Sequence, residues 1–142
     1  MSSIFEECAQ VATHSDDPHR QVGCVVLDEN GTTIASGTNR LPEGCTVTGP
    51  RTSKPHKYSW IEHAERNAIY SAARRGVSLE GCTMFLNYWP CVECTRAIIQ
   101  SGIKKIVAPR MPDLNHPQWG SQFSTSLTMI QETGLNYTII DE

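Results

Sequence analysis

Two short segments of the chain contain side chains that bind metal ions in proteins: His63 with Glu65 two residues later, and Cys91 with Cys94. Two cysteines separated by two residues in the opening turn of a helix lie on one face, so both sulfurs can bind one ion. A helix N-terminus lowers thiol pKa, which predicts that both cysteines deprotonate readily. A Cys-x-x-Cys pair alone is equally compatible with a redox pair, and the His63 segment is what favours a metal site.

Glu65 falls in the middle of the apolar stripe of a predicted helix over residues 60–75. Burying an unpaired carboxylate is costly, so we expect Glu65 to meet a cation or to face a cavity. On one continuous helix His63 would point to a different side. Both side chains reach one site only if that site lies just beyond the helix N-terminus and the helix begins near His63, and we predict this arrangement.

His63, Cys91 and Cys94 together predict one catalytic Zn²⁺ ion per chain, because three protein ligands leave the fourth tetrahedral position to water. Glu65 is then the residue that takes a proton from the water. The alternative is a closed structural zinc site, whose fourth ligand would come from Cys8, Cys24, Cys45, Cys82, His14, His19, His56 or His116. Cys24 and Cys82 lie in apolar strands, which favours core packing for both.

The bulk properties narrow the class of protein. The 142 residues suit a single domain, 1–142, and the net charge of −3 disfavours polynucleotide binding, which needs clustered Lys and Arg. No apolar stretch is long enough to span a bilayer, and the N-terminus does not resemble a secretion signal. We therefore expect a cytoplasmic protein with a small-molecule ligand, no membrane contact, and cysteines that are thiols or metal ligands.

The order of predicted elements indicates an α/β fold with helices on both faces of a sheet whose later strands are parallel. The loop over residues 37–58 is long enough to be functional or a disordered flap, and Cys45 and His56 in it are a candidate second metal site. The predicted elements are helices over residues 2–13, 60–75, 90–101 and 122–133, a hairpin of strands 22–27 and 32–36, and strands 83–87, 104–108 and 137–140.

The HAE motif at 63–65 and the PCVEC motif at 90–94 resemble those of the cytidine and deoxycytidylate deaminase superfamily, and the chain most resembles its deoxycytidylate (dCMP) deaminases. The resemblance implies a three-layer α/β/α sandwich around a five-stranded mixed sheet, with zinc where two helix N-termini converge, and commonly a homo-oligomer. It extends through GTNRLPEGC at 37–45, KYSWIEHAERNAI at 57–69 and AIIQSGIKKIV at 97–107.

The resemblance also implies a reaction, namely hydrolytic deamination of a cytosine-type nucleotide, dCMP to dUMP, with release of ammonia. His63, Cys91 and Cys94 are the implied zinc ligands. Glu65 is the implied catalytic residue, which returns protons to the ring nitrogen and to the leaving amine.

The substrate contacts implied by the family are Asn39, to the sugar or base, and the backbone of Ala64, near the base carbonyl. Asn39 is alternatively a turn residue bonded to its own backbone. Arg40 stands where the family has a small residue, which leaves the nucleotide contacts of this loop open. Candidate phosphate contacts are Arg40, Arg51, Lys54 and Lys57, and the aromatic residues that could stack on a base or pack in the core are Tyr88, Trp89, Trp119 and Phe123.

Other functions fit the same residues. The same chemistry could act on a nucleoside, a free base such as cytosine or guanine, a modified pyrimidine, or a base in RNA or single-stranded DNA; the last needs a basic, aromatic-lined channel. An inactive zinc-binding module is disfavoured because no structural zinc site needs Glu65.

Overall fold

The computed structural model describes residues 3–140, which form a five-stranded sheet with the strand order β2-β1-β3-β4-β5. No helix within this range is both long and apolar enough to cross a membrane. The helices are α1 (Ile4–Ala12), α2 (Lys57–Trp60), α3 (Ala64–Arg75), α4 (Val92–Gln100) and α5 (Gly120–Thr133), and the strands are β1 (Gly23–Leu27), β2 (Thr33–Thr38), β3 (Thr83–Leu86), β4 (Lys105–Ala108) and β5 (Asn136–Ile139).

The sheet is mixed, as predicted. Strand β1 is antiparallel to β2 and to β3, whereas β3, β4 and β5 run parallel to one another. Because each parallel connection needs a crossover, α4 follows β3 and α5 follows β4. The hairpin turn is closed by the Asp28 carboxylate, which accepts hydrogen bonds from the amides of Asn30 and Thr32.

Helices cover both faces of the sheet, which confirms the three-layer prediction. Alternate residues of a strand point to opposite faces. On one face Cys24, Val26, Met84 and Leu86 join the core cluster that includes residues of α3, α4 and α5. On the other face α1 packs through Phe5, whose ring meets the Phe85 ring edge-on at 6.2 Å.

The predicted helix over residues 60–75 is divided in the structure. Helix α2 ends at Trp60, Ile61 is extended, and α3 begins only at Ala64. The physical reason is a tertiary contact, because the backbones of Arg40 and Glu62 exchange two hydrogen bonds of 3.1 and 2.8 Å and keep this segment extended. The other predicted elements agree to within a few residues, and residue 2 of the first helix lies outside the described range.

The segment predicted as a long loop is held in place by its own side chains. The first two residues of this segment belong to strand β2, and a short 3₁₀ turn covers Pro50–Thr52. The Arg51 guanidinium lies 4.0 Å from the Trp60 ring and donates to the Thr46 carbonyl. These contacts give the segment an ordered path to α2.

Candidate active site

Three candidate ligands meet where the N-termini of α3 and α4 converge. His63 is the N-cap residue of α3, with an extended backbone (φ −74°, ψ 152°), and Cys91 is the N-cap residue of α4. Nδ1 of His63 lies 3.4 Å from Sγ of Cys91 and 3.4 Å from Sγ of Cys94. The helix therefore begins next to His63, as the sequence predicted, and the imidazole reaches the two sulfurs from the neighbouring helix.

The donor set fits a zinc ion. The ring nitrogen and the two sulfurs all lie within 4.8 Å of one another. Tetrahedral zinc with Zn–N and Zn–S bonds of about 2.0 and 2.3 Å requires nitrogen and sulfur to be about 3.5 Å apart, which is close to the observed 3.4 Å. Within residues 3–140 no fourth His, Cys, Asp or Glu joins this group, so the described residues supply three candidate ligands and no fourth.

The other cysteines do not complete this site. Cys24 and Cys82 are buried in the core cluster, as their apolar surroundings predicted. In the part of the chain that the structure describes, Cys45 and His56 belong to no group of three donors, so the second-metal hypothesis gains no support.

The electrostatics of the site favour an anionic sulfur at Cys91. Hydrogen bonds with Cys94 and, next, with His63 lower the pKa of Cys91 to about 4, against the opposing effect of burial. Its sulfur also accepts the Cys94 backbone N–H in the first turn of α4. The hydrogen bond with Cys91 and burial raise the pKa of Cys94, so Cys91 is the sulfur of this pair that loses its proton first, and easy deprotonation of both cysteines stays a prediction. The hydrogen bond with Cys91 likewise raises the pKa of His63, although burial opposes this.

Glu65 is buried in the first turn of α3, only 5% exposed, and lies close enough to Cys91 and Cys94 for both side chains to affect the pKa of its carboxyl group. Burial is the main cause that raises the pKa of Glu65, and the charge on Cys91 adds to it. The anomalous carboxyl in the apolar stripe is thus placed against a candidate ligand. Ala64, beside it, is the first residue of α3, where a backbone N–H has no acceptor within the helix.

Asn39 is buried and its amide group holds a neighbouring loop. Its Nδ2 donates to the Arg20 carbonyl at 2.7 Å, and its Oδ1 accepts from Ser15 Oγ and the Val22 amide at 2.6 and 3.0 Å. The amide therefore fixes the loop before β1 and does not form a turn with its own backbone. Its predicted contact with a sugar or base stays a prediction.

The candidate phosphate contacts differ in availability. Arg40 is paired through its backbone with the segment that carries His63, and its side chain is 57% exposed, with Nε 3.8 Å from Asp16. Lys57 is buried and its amine donates to Asp17 at 2.8 Å, so it is committed to an internal ion pair. Arg40 is therefore the better candidate of the two.

The aromatic residues are mostly structural. Trp89 is buried in the core cluster and meets the Tyr137 ring edge-on at 5.7 Å, while Phe123 packs against the same cluster. Tyr88 is exposed, and the Arg20 guanidinium lies 4.5 Å above its ring. Tyr88 is thus the member of this group with both an open face and a position three residues before Cys91.

Arg66 lies at the site, although the sequence patterns did not indicate it. Arg66, in the first turn of α3, contacts the carboxylates of Glu62 at 2.6 Å and Glu93 at 2.8 Å. Glu62 precedes His63, and Glu93 lies between the two cysteines. The available signal was a cation in the first turn of a helix, a position that the helix dipole disfavours.

Comparisons with known proteins agree with this geometry. The model of the family described as "Cytidine and deoxycytidylate deaminase zinc-binding region" matches residues 1–109. The chain belongs to this family. Membership, together with the donor set of His63, Cys91 and Cys94, fits a zinc-dependent deaminase.

Individual relatives extend the comparison along the chain. An uncharacterized deaminase of Aliivibrio fischeri, named for the luxG 3′ region, is 33% identical over 135 residues, which cover 95% of this chain and 89% of that protein. The human deoxycytidylate deaminase is 34% identical over 102 residues, which cover 68% of this chain and 56% of that protein. The chain thus spans little more than half the length of this dCMP deaminase.

Solved structures of deaminases share the fold. The cyanophage S-TIM5 dCMP deaminase, in complex with dCMP and dUMP, has a TM-score of 0.73 over 99% of both chains, with 23% identity. At this identity the likeness establishes the cytidine deaminase-like fold.

Proposed function

We propose that this protein catalyses the hydrolytic deamination of dCMP to dUMP, with release of ammonia. The observation that carries the proposal is the convergence of His63, Cys91 and Cys94, with the Glu65 carboxyl group buried against Cys94. A structural zinc site has no use for such a carboxyl group, whereas hydrolytic deamination needs one to move protons.

The chain's own residues take distinct parts in this reaction. His63, Cys91 and Cys94 would hold the zinc ion, which when bound acts as a Lewis acid that makes hydroxide available from water near neutral pH. Glu65 accepts the proton of the attacking water at its carboxylate. It delivers that proton to the ring nitrogen beside C4, then takes the remaining proton of the oxygen added at C4 and passes it to the exocyclic amine, which leaves as ammonia. The backbone amide of Ala64 is the contact that we propose for the base carbonyl.

The choice of dCMP rests on the named relatives and on the cations near the site. Curated deoxycytidylate deaminases match at 34–35% identity over about two thirds of the chain. A 5′-phosphate needs a cation, and Arg40 offers an exposed guanidinium beside the segment that carries His63. Arg40 is therefore the phosphate contact that we propose, and Asn39 is the proposed contact to the sugar or base.

A substrate panel tests the proposal. Zinc-replete protein is offered dCMP, CMP, deoxycytidine, cytosine, guanine and a single-stranded oligonucleotide, and ammonia release is followed. We expect the highest kcat/KM for dCMP, and no turnover of the oligonucleotide at physiological salt because the net charge of −3 offers no polynucleotide footprint. Activity on the free base or the oligonucleotide alone would overturn the proposal.

An arginine variant separates recognition of the phosphate from recognition of the base. Arg40→Ala is expected to raise KM for dCMP at least 10-fold, about the value of one charge-assisted contact, and to leave KM for deoxycytidine unchanged. Arg74→Ala is the matched control, because Arg74 forms an exposed ion pair with Glu43 at the far end of α3. Equal losses on both substrates would remove Arg40 from the phosphate site.

A further inference from the structure

Arg66 joins the two segments that carry the candidate ligands. Its Nε and Nη2 both lie 2.6 Å from one carboxylate oxygen of Glu62, and its Nη1 lies 2.8 Å from a carboxylate oxygen of Glu93. The same Glu62 oxygen accepts the backbone N–H of His63 at 2.9 Å. One guanidinium group therefore connects the residue before His63 with the residue between Cys91 and Cys94.

The position of Arg66 is unfavourable for the helix alone. The first turn of α3 has a positive partial charge, which favours acidic side chains and disfavours a cation. The two carboxylates compensate for this, and together they raise the pKa of Arg66 further above its usual range, although burial lowers it. A planar guanidinium can contact two carboxylates at once with fixed geometry, which a lysine amine cannot do. The arrangement thus serves a contact beyond α3.

The ion pair of Arg66 with Glu62, next to His63, is largely buried, whereas its partner Glu93, between the two cysteines, is exposed. The side chains of Arg66 and Glu62 are 17% and 26% exposed, whereas that of Glu93 is 59% exposed. An isolated exposed ion pair stabilises a protein little, but a pair that fixes the N-termini of two helices around a ligand site acts on the geometry of that site. Removing Glu93 from this network therefore tests the connection with little effect on folding.

We propose that Arg66 is a positioning residue that ties the N-terminus of α3 to that of α4 through Glu62 and Glu93, and thereby tightens zinc binding. The inference rests on the proposed zinc centre and not on the identity of the substrate. Arg66 does not contact the reacting atoms. Its effect is on how well His63, Cys91 and Cys94 are held at the spacing of one ion before the ion binds.

The experiment measures zinc dissociation constants by competition with a chromogenic chelator. The variants are Arg66→Gln, Arg66→Lys, Glu93→Gln and the double variant Arg66→Gln/Glu93→Gln, with Arg74→Gln as the matched control on the same helix. We expect zinc binding 10- to 100-fold weaker in Arg66→Gln, in the range found when partners of metal ligands are removed. Glu93→Gln should weaken it less, Arg66→Lys should restore part of the loss, and the double variant should be no weaker than Arg66→Gln.

Several outcomes would overturn the inference. Wild-type zinc affinity in both Arg66→Gln and Glu93→Gln would do so, as would additive losses in the double variant. Because a merely structural role would lower the melting temperature of the metal-free protein without changing zinc affinity, that temperature is measured in parallel. A wild-type protein that binds zinc but does not deaminate dCMP would defeat the proposed substrate and leave the Arg66 result standing. Failure of the wild type to bind zinc would defeat both.

Discussion

Glu65 connects the buried first turn of α3 with the candidate zinc ligands. Its carboxyl group lies near the Cys94 side chain and has little contact with solvent. A carboxyl group in this setting can receive and return protons without exchanging them with bulk water. The amide of glutamine has nearly the same shape but cannot carry out this transfer, which makes glutamine the informative replacement.

We predict that Glu65→Gln binds zinc stoichiometrically. Its kcat should fall by about 100- to 10,000-fold, the usual contribution of a general acid–base group. Elemental analysis measures the zinc content, and ammonia release from dCMP measures turnover. Cys91→Ser serves as the comparison, since it removes a ligand and should lose both metal and activity. Turnover near the wild-type rate in Glu65→Gln would reject the assigned role.

At the scale of elements, the site depends on how closely α3 approaches β2. Gly37 lies in β2 against the first turns of α3, where an added Cβ would overlap the Ala64 carbonyl oxygen and lie 2.5 Å from the Ala68 amide nitrogen. Both contacts are with helix backbone, so the helix itself would have to move. The absence of a side chain at Gly37 therefore sets the position of the turn that carries Glu65.

Gly37→Ala is expected to lower the free energy of unfolding by about 1–3 kcal/mol, the usual effect of overpacking, and to weaken zinc binding because the start of α3 shifts. Urea denaturation and chelator competition measure the two effects. Gly49→Ala is the matched control, because Gly49 has an ordinary φ of −55° and an added Cβ there meets nothing within 4 Å. Similar stability of the two variants would contradict the packing argument.

At the scale of the whole molecule, a buried ion pair joins distant parts of the chain. Lys57, in α2, donates to Asp17, in the loop before β1, and the two residues are 8% and 4% exposed. Burial alone would raise the pKa of Asp17, but the hydrogen bonds from Lys57 and from the backbone amides of His19 and Arg20 outweigh it, so the pKa is lowered. Global unfolding must break this pair.

The lowered pKa of Asp17 determines the direction in which the stability of the protein changes with pH. In the unfolded chain Asp17 titrates near a pKa of about 3.9, so the pair contributes stability above that pH and loses it as the pH falls through the lower folded-state pKa. Asp17→Asn is expected to cost about 3–5 kcal/mol at pH 7, because it leaves Lys57 buried without its partner.

Urea denaturation between pH 3 and 7 should show that this difference shrinks towards pH 3, because the wild-type chain then takes up a proton at Asp17 when it unfolds. The control is Glu43→Gln, whose ion pair with Arg74 is exposed on both sides and should change stability by less than about 1 kcal/mol at any pH. A difference between wild type and Asp17→Asn that is independent of pH would contradict the assignment.

The homo-oligomer and the cytoplasmic location implied by the sequence stay predictions at this scale. Both concern surfaces and surroundings that lie beyond one chain. The cytidine deaminase-like fold and the family itself are established by the comparisons.

The sequence by itself determined the chemistry and the order of elements. The spacing of His63, Glu65, Cys91 and Cys94, and the turn signals between apolar segments, are local patterns that physical chemistry constrains directly. The end of a helix at a glycine, such as Gly76 with its φ of +70°, was equally predictable, because the left-handed backbone conformation of the C-cap favours glycine whatever the tertiary contacts are.

Features that depend on contacts between residues distant in sequence were decided only by the tertiary structure. The break before Ala64 arises because Glu62 pairs with the backbone of Arg40, and Lys57 is withdrawn from solvent by Asp17. The contact between Arg66 and Glu93 exists because two helices converge, and no pattern within either helix encodes it. Local propensity acts over a few residues, whereas these contacts depend on how the sheet brings separate segments together.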